Sequence, residues 1–358
     1  MKIALLGDVA FFGKNSIKKN SNLFDYYKDV KDYLSDYDVV IANLETPFNN
    51  GNKPYSHKSA YLDSDIENVK ILTYLGVSIV NLANNHMYDY GKKSYDLTKK
   101  ILNENKIEFF GIEQKQVFIN SENNKIALSG YCCYSTNPLG IGSNKINELN
   151  YSSVQQNLAN NTKNNYNNIL SIHAGIEHVN FPSYDHIKFA RELTKIAPYV
   201  YYGHHPHVLQ GVEKHNESVI AYSLGNFCFD DVYTARSKEP LVRQTENNKS
   251  SIILELEYDN NILIAHKTIP VYSGNENMVL GSEKIDKELD EYSDKLNLGE
   301  IEYTNMRNIL LNSLKSKVIS KRNFNWYFKR ISFRTIFVLR DLFLNKYKYK
   351  SNFKKYVR

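Results

Sequence analysis

The chain has 358 residues, 42% of them hydrophobic and 23% charged, with a net charge of +6. This length and balance suit one large α/β unit with an appendage and exclude global disorder. Three cysteines, Cys132, Cys133 and Cys228, are too few and too crowded for a disulfide framework, and no run reaches the roughly 18 apolar residues of a transmembrane helix.

In chain order, "MKIALLGDVAFFG" opens with a short apolar run that enters an acidic, Gly-containing turn. It reads as a first β-strand and not as a signal peptide. Further Val- and Ile-rich runs of strand length follow at 38–45, 76–84, 125–131, 167–175, 198–204 and 218–226. Helical patterns lie between them at 23–35, 65–75, 92–105 and 184–197, an alternation that indicates an α/β sheet. Residues 131–166, with "CCYSTNPLGIGSN" and an Asn-rich stretch, read as an irregular lid or insertion. "SIILELEYD" and "NILIAHKTI", separated by a polar turn, read as a β-hairpin, and the sheet system is expected to close near residue 272.

The expected domains are therefore 1–272, a polar linker at 273–300, and a tail at 301–358. The tail holds 15 Lys and Arg against Glu302 and Asp341 alone, a net charge of +13, so the remainder is acidic. Its mixture of aromatic, aliphatic and basic residues reads as an amphipathic helix. Such a helix lies on an anionic membrane surface, binds an acidic partner, or packs on its own domain. Nucleic-acid binding through stacked aromatics is the weaker reading, because the apolar residues concentrate in "ISFRTIFVLRDLFL".

The polar residues that end the predicted strands are Asp8, Asn43 and Glu45, then Asn84, Asn85 and His86, then His173, and finally His204, His205 and His207. Ligands of open α/β sheets bind beyond the carboxyl ends of strands, so these residues are expected to converge on one crevice. Asp, Glu, Asn and His are ligand types suited to Mn, Fe, Zn or Mg. In an extended segment His205 and His207 share one side of the chain, while His204 points away and orients a neighbour or packs.

These stretches resemble the CapA capsule-synthesis (poly-γ-glutamate biosynthesis) family, a branch of the calcineurin-like metallophosphatase superfamily. The resemblance rests on "GDVAFFG" (7–13), "ANLETP" (42–47), "NLANNHMYDYG" (81–91), "IHAGIEHVNFPS" (172–183), "GHHPHVLQGVE" (203–213) and "YSLGNFCFD" (222–230), and it covers about residues 1–272. It implies an α/β fold, a four-layer αββα sandwich, here carrying a C-terminal helical basic extension. It also implies a metal-ligand set of Asp8, Glu45, Asn85, His173, His205 and His207 for one or two divalent cations, Mn, Fe or Zn. His86 resembles the proton donor of the phosphatase relatives, with Asp89 placed to orient it. Asn43, Asn84, Glu177, His204 and Asn226 are supporting or substrate-side candidates.

The chain departs from the wider pattern in two ways. Asp8 is followed by Val9 and Ala10, which removes the imidazole of the Asp-x-His motif, and Ala174 replaces the family's usual aromatic. Two functions stand open. One is a metal-dependent hydrolase acting on a phosphoester or related bond in capsule, poly-γ-glutamate or other cell-surface polymer biosynthesis. Its substrate would be an anionic polymer or a phosphorylated small molecule. The other is a non-catalytic assembly or polymer-binding factor of a capsule synthase, with a degenerate metal site. A cytoplasmic location is expected, with peripheral contact at the inner face of the membrane through 301–358.

Overall fold

In a computed structural model the described residues are 1–55, 58, 60–142, 145–234, 237–320 and 333–357. The first half of the chain runs β1 (Lys2–Val9), α1 (Leu23–Tyr26), α2 (Lys28–Leu34), β2 (Val39–Leu44), α3 (Val69–Tyr74), β3 (Val77–Asn81), α4 (Gly91–Glu104), β4 (Glu108–Phe110), β5 (Val117–Asn120) and β6 (Lys125–Cys132). Then come α5 (Tyr151–Lys163), β7 (Asn167–His173), α6 (Tyr184–Leu193), β8 (Tyr199–His204), β9 (Val212–His215), β10 (Ser218–Ala221) and β11 (Asn226–Cys228). The last part holds β12 (Val232–Thr234), β13 (Ser237–Val242), α7 (Glu246–Lys249), β14 (Ser250–Asp259), β15 (Ile262–Ser273), β16 (Met278–Leu280), α8 (Glu283–Lys295), α9 (Glu300–Ser320) and α10 (Phe333–Tyr349).

Among the described residues, an eight-stranded sheet has the order β16-β15-β14-β1-β2-β3-β4 with β11 also paired to β1, and a six-stranded sheet has the order β5-β6-β7-β8-β10-β9. The period-2 alternation of the strands separates the layers. Ile3 and Leu5 of β1 meet Val200 and Tyr202 of β8 in a core between the sheets. Ala4 and Leu6 turn outward to the layer of Leu23, Val30, Leu72 and Leu102 from the first four helices. Tyr199 and Tyr201 turn the other way, to Val154 and Leu158 of α5 and Ile187 and Phe189 of α6. The α/β sheet read from the strand and helix pattern is thus present, in the four-layer αββα arrangement that the family resemblance implies. Tyr202 ties the sheets together by donating its hydroxyl to the Leu6 carbonyl.

The hairpin forms as expected: β14 and β15 pair antiparallel around Asn260 and Asn261, both at positive φ, the conformation a two-residue hairpin turn demands and Asn tolerates. Two expectations fail. Residues 273–300 are no linker, since β16 extends the first sheet beyond residue 272 and α8 buries Ile285 and Leu289 in the core between the sheets. Three buried apolar residues, the third being Leu296, suffice to dock an otherwise polar amphipathic helix, and Ser282 caps its first turn. The stretch 131–166 is not all irregular either. Asn150 accepts hydrogen bonds from the Ser152 and Ser153 amides and starts α5, the crossover helix from β6 to β7; residues 143 and 144 lie outside the described residues.

The tail is anchored at both ends. Tyr303 of α9 and Phe353 and Val357 after α10 join the core outside the second sheet, and Arg307 donates to the Phe181 carbonyl at 2.9 Å. Residues 321–332, where part of the expected amphipathic run falls, lie outside the described residues. Among the described residues no helix is long and apolar enough to cross a membrane.

Candidate metal centre

β1, β2, β3, β7 and β8 are neighbouring parallel strands within their sheets, so their carboxyl ends emerge on one side. Gly7 is needed where β1 meets the 224–226 turn, because a Cβ there would stand 2.3 Å from the Gly225 carbonyl oxygen. That close approach pairs Asp8 with Asn226.

Asp8 is fully buried. Its Oδ1 accepts from Asn43 Nδ2 at 2.9 Å and from His204 Nδ1 at 2.8 Å, and its Oδ2 accepts from the His205 amide at 3.1 Å. Burial raises the Asp8 pKa, but His204 and His207 outweigh it and hold the carboxyl well below its usual range. Glu45 is equally buried, yet among the described residues neither of its oxygens has a hydrogen-bond donor. Oε1 stands 3.4 Å from His173 Nε2, and Oε2 stands 3.8 Å from His207 Nε2. Burial and the Asp8 charge push the Glu45 carboxyl well above its usual pKa.

The imidazoles complete the arrangement. His173 Nε2 lies 3.0 Å from Asn85 Oδ1, so Glu45, Asn85 and His173 point ligand atoms at one locus. His207 sets Nδ1 against Asn226 Oδ1 at 2.8 Å, which turns Nε2 toward Glu45. Burial opposes charge on His207, but Glu45 and Asp8 raise its pKa to about 10. Burial pushes His205 down to about 3, and burial and then the His205 charge hold His173 well below its usual value.

His205 and His207 do meet at one centre, but not because they share one side of an extended segment. β8 ends at His204, and the two histidines adopt φ of 95° and 56°, not an extended backbone. Such a conformation costs a non-glycine residue on the order of 1 kcal/mol or more and persists where its surroundings over-determine it. Here Asp8 holds the His205 amide, and Asn248 Nδ2 donates to the His207 carbonyl at 2.8 Å.

His86 and Asp89 form a pair, Nδ1 to Oδ2, at 2.7 Å. Burial, and after it the Lys58 charge, lowers the His86 pKa. Asn43 and Asn226 support Asp8 and His207, and His204 orients Asp8 with its ring packed on Tyr202. Asn84 is committed within the chain. Its Oδ1 accepts from the His86 and Met87 amides and its Nδ2 donates to the Leu44 carbonyl, which pins the turn carrying Asn85 to β2. Glu177 lies on the exposed side, with a carboxylate oxygen near His205 and His207.

Lys58 was not foreseen. Its Nζ donates to the Asn85 carbonyl at 2.7 Å and to Asp89 Oδ1 at 3.0 Å, tying the turn of Asn85 to the His86 partner. It comes from a polar loop stretch with no spacing signal, so only the folded loop reveals it. Thr136 was missed as well; its carbonyl accepts from Asn85 Nδ2 at 3.1 Å.

One ligand atom each from Asp8, Glu45 and His207 fall within 4.8 Å of one another, and so do one each from Glu177, His205 and His207. A buried carboxylate with no donor is costly unless a cation or proton meets it, so the Glu45 oxygens show that the residues present fit a metal ion.

The family model of the bacterial capsule synthesis protein PGA_cap matches residues 2–231, every residue of the centre among them. The chain belongs to this family. A capsule biosynthesis protein CapA of Bacillus anthracis is 27% identical over 278 residues, covering 72% of this chain and 66% of that protein. A PGA biosynthesis protein CapA of Bacillus subtilis (strain 168) is 28% identical over 236 residues, covering 63% and 61%. The chain thus spans about two thirds or less of the length of these family members. Among solved structures, TT1561 of Thermus thermophilus overlaps with a TM-score of 0.36 at 9% identity, over 71% of this chain and 93% of that one.

Proposed function

We propose that this PGA_cap protein is a metal-dependent hydrolase, or a transferase by the same chemistry, that acts on a phosphoester or related bond in the biosynthesis of an anionic cell-surface polymer. The observation that carries the reading is the buried Glu45 carboxylate, without a hydrogen-bond donor among the described residues and set between His173 and His207. Asp8, Glu45 and His207 would hold one divalent cation, and Glu45, Asn85, His173 and His205 a second, with Mn, Fe or Zn the ions suited to such donors. Such a cation supplies Lewis-acid charge that polarises a phosphoryl or carboxyl oxygen and acidifies water.

The chain's own residues supply proton handling and placement. Asp89 fixes the His86 ring through Nδ1 and leaves Nε2 as the atom that exchanges a proton with substrate. A phosphoryl charge beside Nε2 raises the proton affinity that burial and Lys58 lower, and so suits the ring to protonate a leaving oxygen. Lys58 holds Asp89 and the Asn85 backbone at once, so the proton carrier and the ligand turn move together. The test is metal content per chain, by mass spectrometry on untagged protein, followed by turnover of phosphodiesters and γ-glutamyl substrates with Mn or Zn. A chain that takes up neither ion leaves the non-catalytic assembly or polymer-binding reading in its place.

The tail supports a location for either role. On α10, Ile336, Leu339, Phe343 and Tyr347 recur at i, i+3, i+7 and i+11 and are 61%, 60%, 72% and 67% exposed. Val338, Asp341, Asn345 and Tyr349 occupy the more covered side, so the apolar stripe faces away from the domain. Arg340, Lys346 and Lys348 flank it, and at about 1 kcal/mol per basic residue near the surface this charge suits an anionic lipid surface. The full chain is expected to sediment with phosphatidylglycerol vesicles and not with phosphatidylcholine ones. Leu339→Asp with Phe343→Asp is expected to weaken that binding at least about tenfold. Undiminished binding, or preference for an oligonucleotide, would remove the lipid reading.

A further inference from the structure

Three donor residues, Asp8, Glu45 and His207, are one short of the four or more ligands that Zn, Mn or Fe ordinarily takes from protein and solvent together. On the outer side of His207 the next donor is Glu177. One ligand atom each from Glu177, His205 and His207 fall within 4.8 Å of one another. Two donors bound to one ion at roughly 2.0 to 2.2 Å are at most about 4.4 Å apart, so a shift of a few tenths of an ångström brings this group to coordinating distance.

Two further observations point to a cation here. Nδ1 of the buried His205 has no hydrogen-bond partner among the described residues. The Glu177 carboxylate faces two imidazoles, His205 and His207, with one ligand atom of each residue within 4.8 Å of the others. Its placement is not that of a free loop. The Ala174 amide donates to the His204 carbonyl at 3.0 Å, the His178 amide donates to the Pro206 carbonyl at 2.8 Å, and Asn248 Nδ2 reaches both His178 Nδ1 and the His207 carbonyl. The loop of Glu177 is therefore stitched on both sides to the loop of His205 and His207.

We infer that Glu177 is a further metal ligand, closing the coordination of the cation seated at His207 from the solvent side. The inference rests on the metal reading of the centre. As the exposed member of the set, Glu177 is the ligand that solvent and an incoming anionic substrate reach first.

The test is Mn and Zn binding by titration calorimetry to the full chain and to Glu177→Gln, Glu177→His and His207→Ala, with thermal melting as the check on folding. Glu177→Gln keeps the shape and removes the charged donor. It is expected to melt like the wild type and to bind Mn at least about tenfold more weakly. Glu177→His returns a nitrogen donor and is expected to recover Zn binding more than Mn binding, which a purely structural glutamate would not do. Wild-type affinity in Glu177→Gln would overturn the inference and leave the metal reading standing. No uptake by the wild type would overturn both.

Discussion

His207→Ala is expected to strip the protein of the cation proposed for Asp8, Glu45 and His207, with a loss of affinity of at least about tenfold and a metal content near zero after gel filtration. His207 belongs to both donor groups of the centre, and Asn226 holds its ring through Nδ1, so its loss removes a donor from both groups at once. The substitution also leaves the buried carboxylates of Asp8 and Glu45 facing each other without their cationic neighbour. Breaking a buried charge pair from one side costs about 3 kcal/mol or more, so a lower melting temperature is expected as well. Glu45→Gln separates the two effects, because it removes a ligand whose ionisation burial and Asp8 already oppose. It is expected to lose metal while melting at or above the wild-type temperature. His204→Ala is the control: its Nδ1 serves Asp8 Oδ1, which Asn43 also serves, so most of the metal is expected to remain. Full metal retention in both His207→Ala and Glu45→Gln would remove the assignment of this centre.

His86→Asn is expected to lower turnover by about 10² to 10⁴ with metal content unchanged, the range for loss of a positioned acid or base. The ring is held by Asp89 Oδ2 at 2.7 Å, and its own amide is braced by Asn84, so the substitution removes the proton carrier without moving the ligand turn. Lys58→Met is expected to give a milder loss, since it frees Asp89 and the Asn85 carbonyl but leaves the ring in place. Loss of metal in His86→Asn would place His86 among the ligands and leave the proton step without a residue.

The α/β class and the long strands were readable from the chain because a strand buried on both faces is a short continuous apolar run, and each such run here ends in a polar residue, whereas the two-sheet layering came from the family resemblance. Asp8, Glu45, Asn85, His173 and the 204–207 histidines stood out for that reason. Residues 273–300 misled because the stretch docks α8 and β16 with few apolar side chains in a polar background, below what composition can register. The reason offered for His205 and His207 failed because positive φ at a histidine is imposed from outside the segment, by Asp8 and Asn248, and has no local signature.

By itself, the sequence determined the strands β1, β2, β3, β6, β7, β8, β10, β14 and β15, which residue types stand at their ends and that the tail is basic, because period and charge are local properties of a chain. Short strands such as β4, β5, β9 and β16 carry too few residues to register. The tertiary structure alone decided that Glu45 is buried without a hydrogen-bond donor among the described residues, that Lys58 joins Asp89 to the Asn85 turn and that Glu177 faces His205 and His207. Each of these depends on atoms tens to more than a hundred residues apart being brought within a few ångströms, and burial and charge at such a meeting point belong to the packing of two sheets and not to any stretch of sequence.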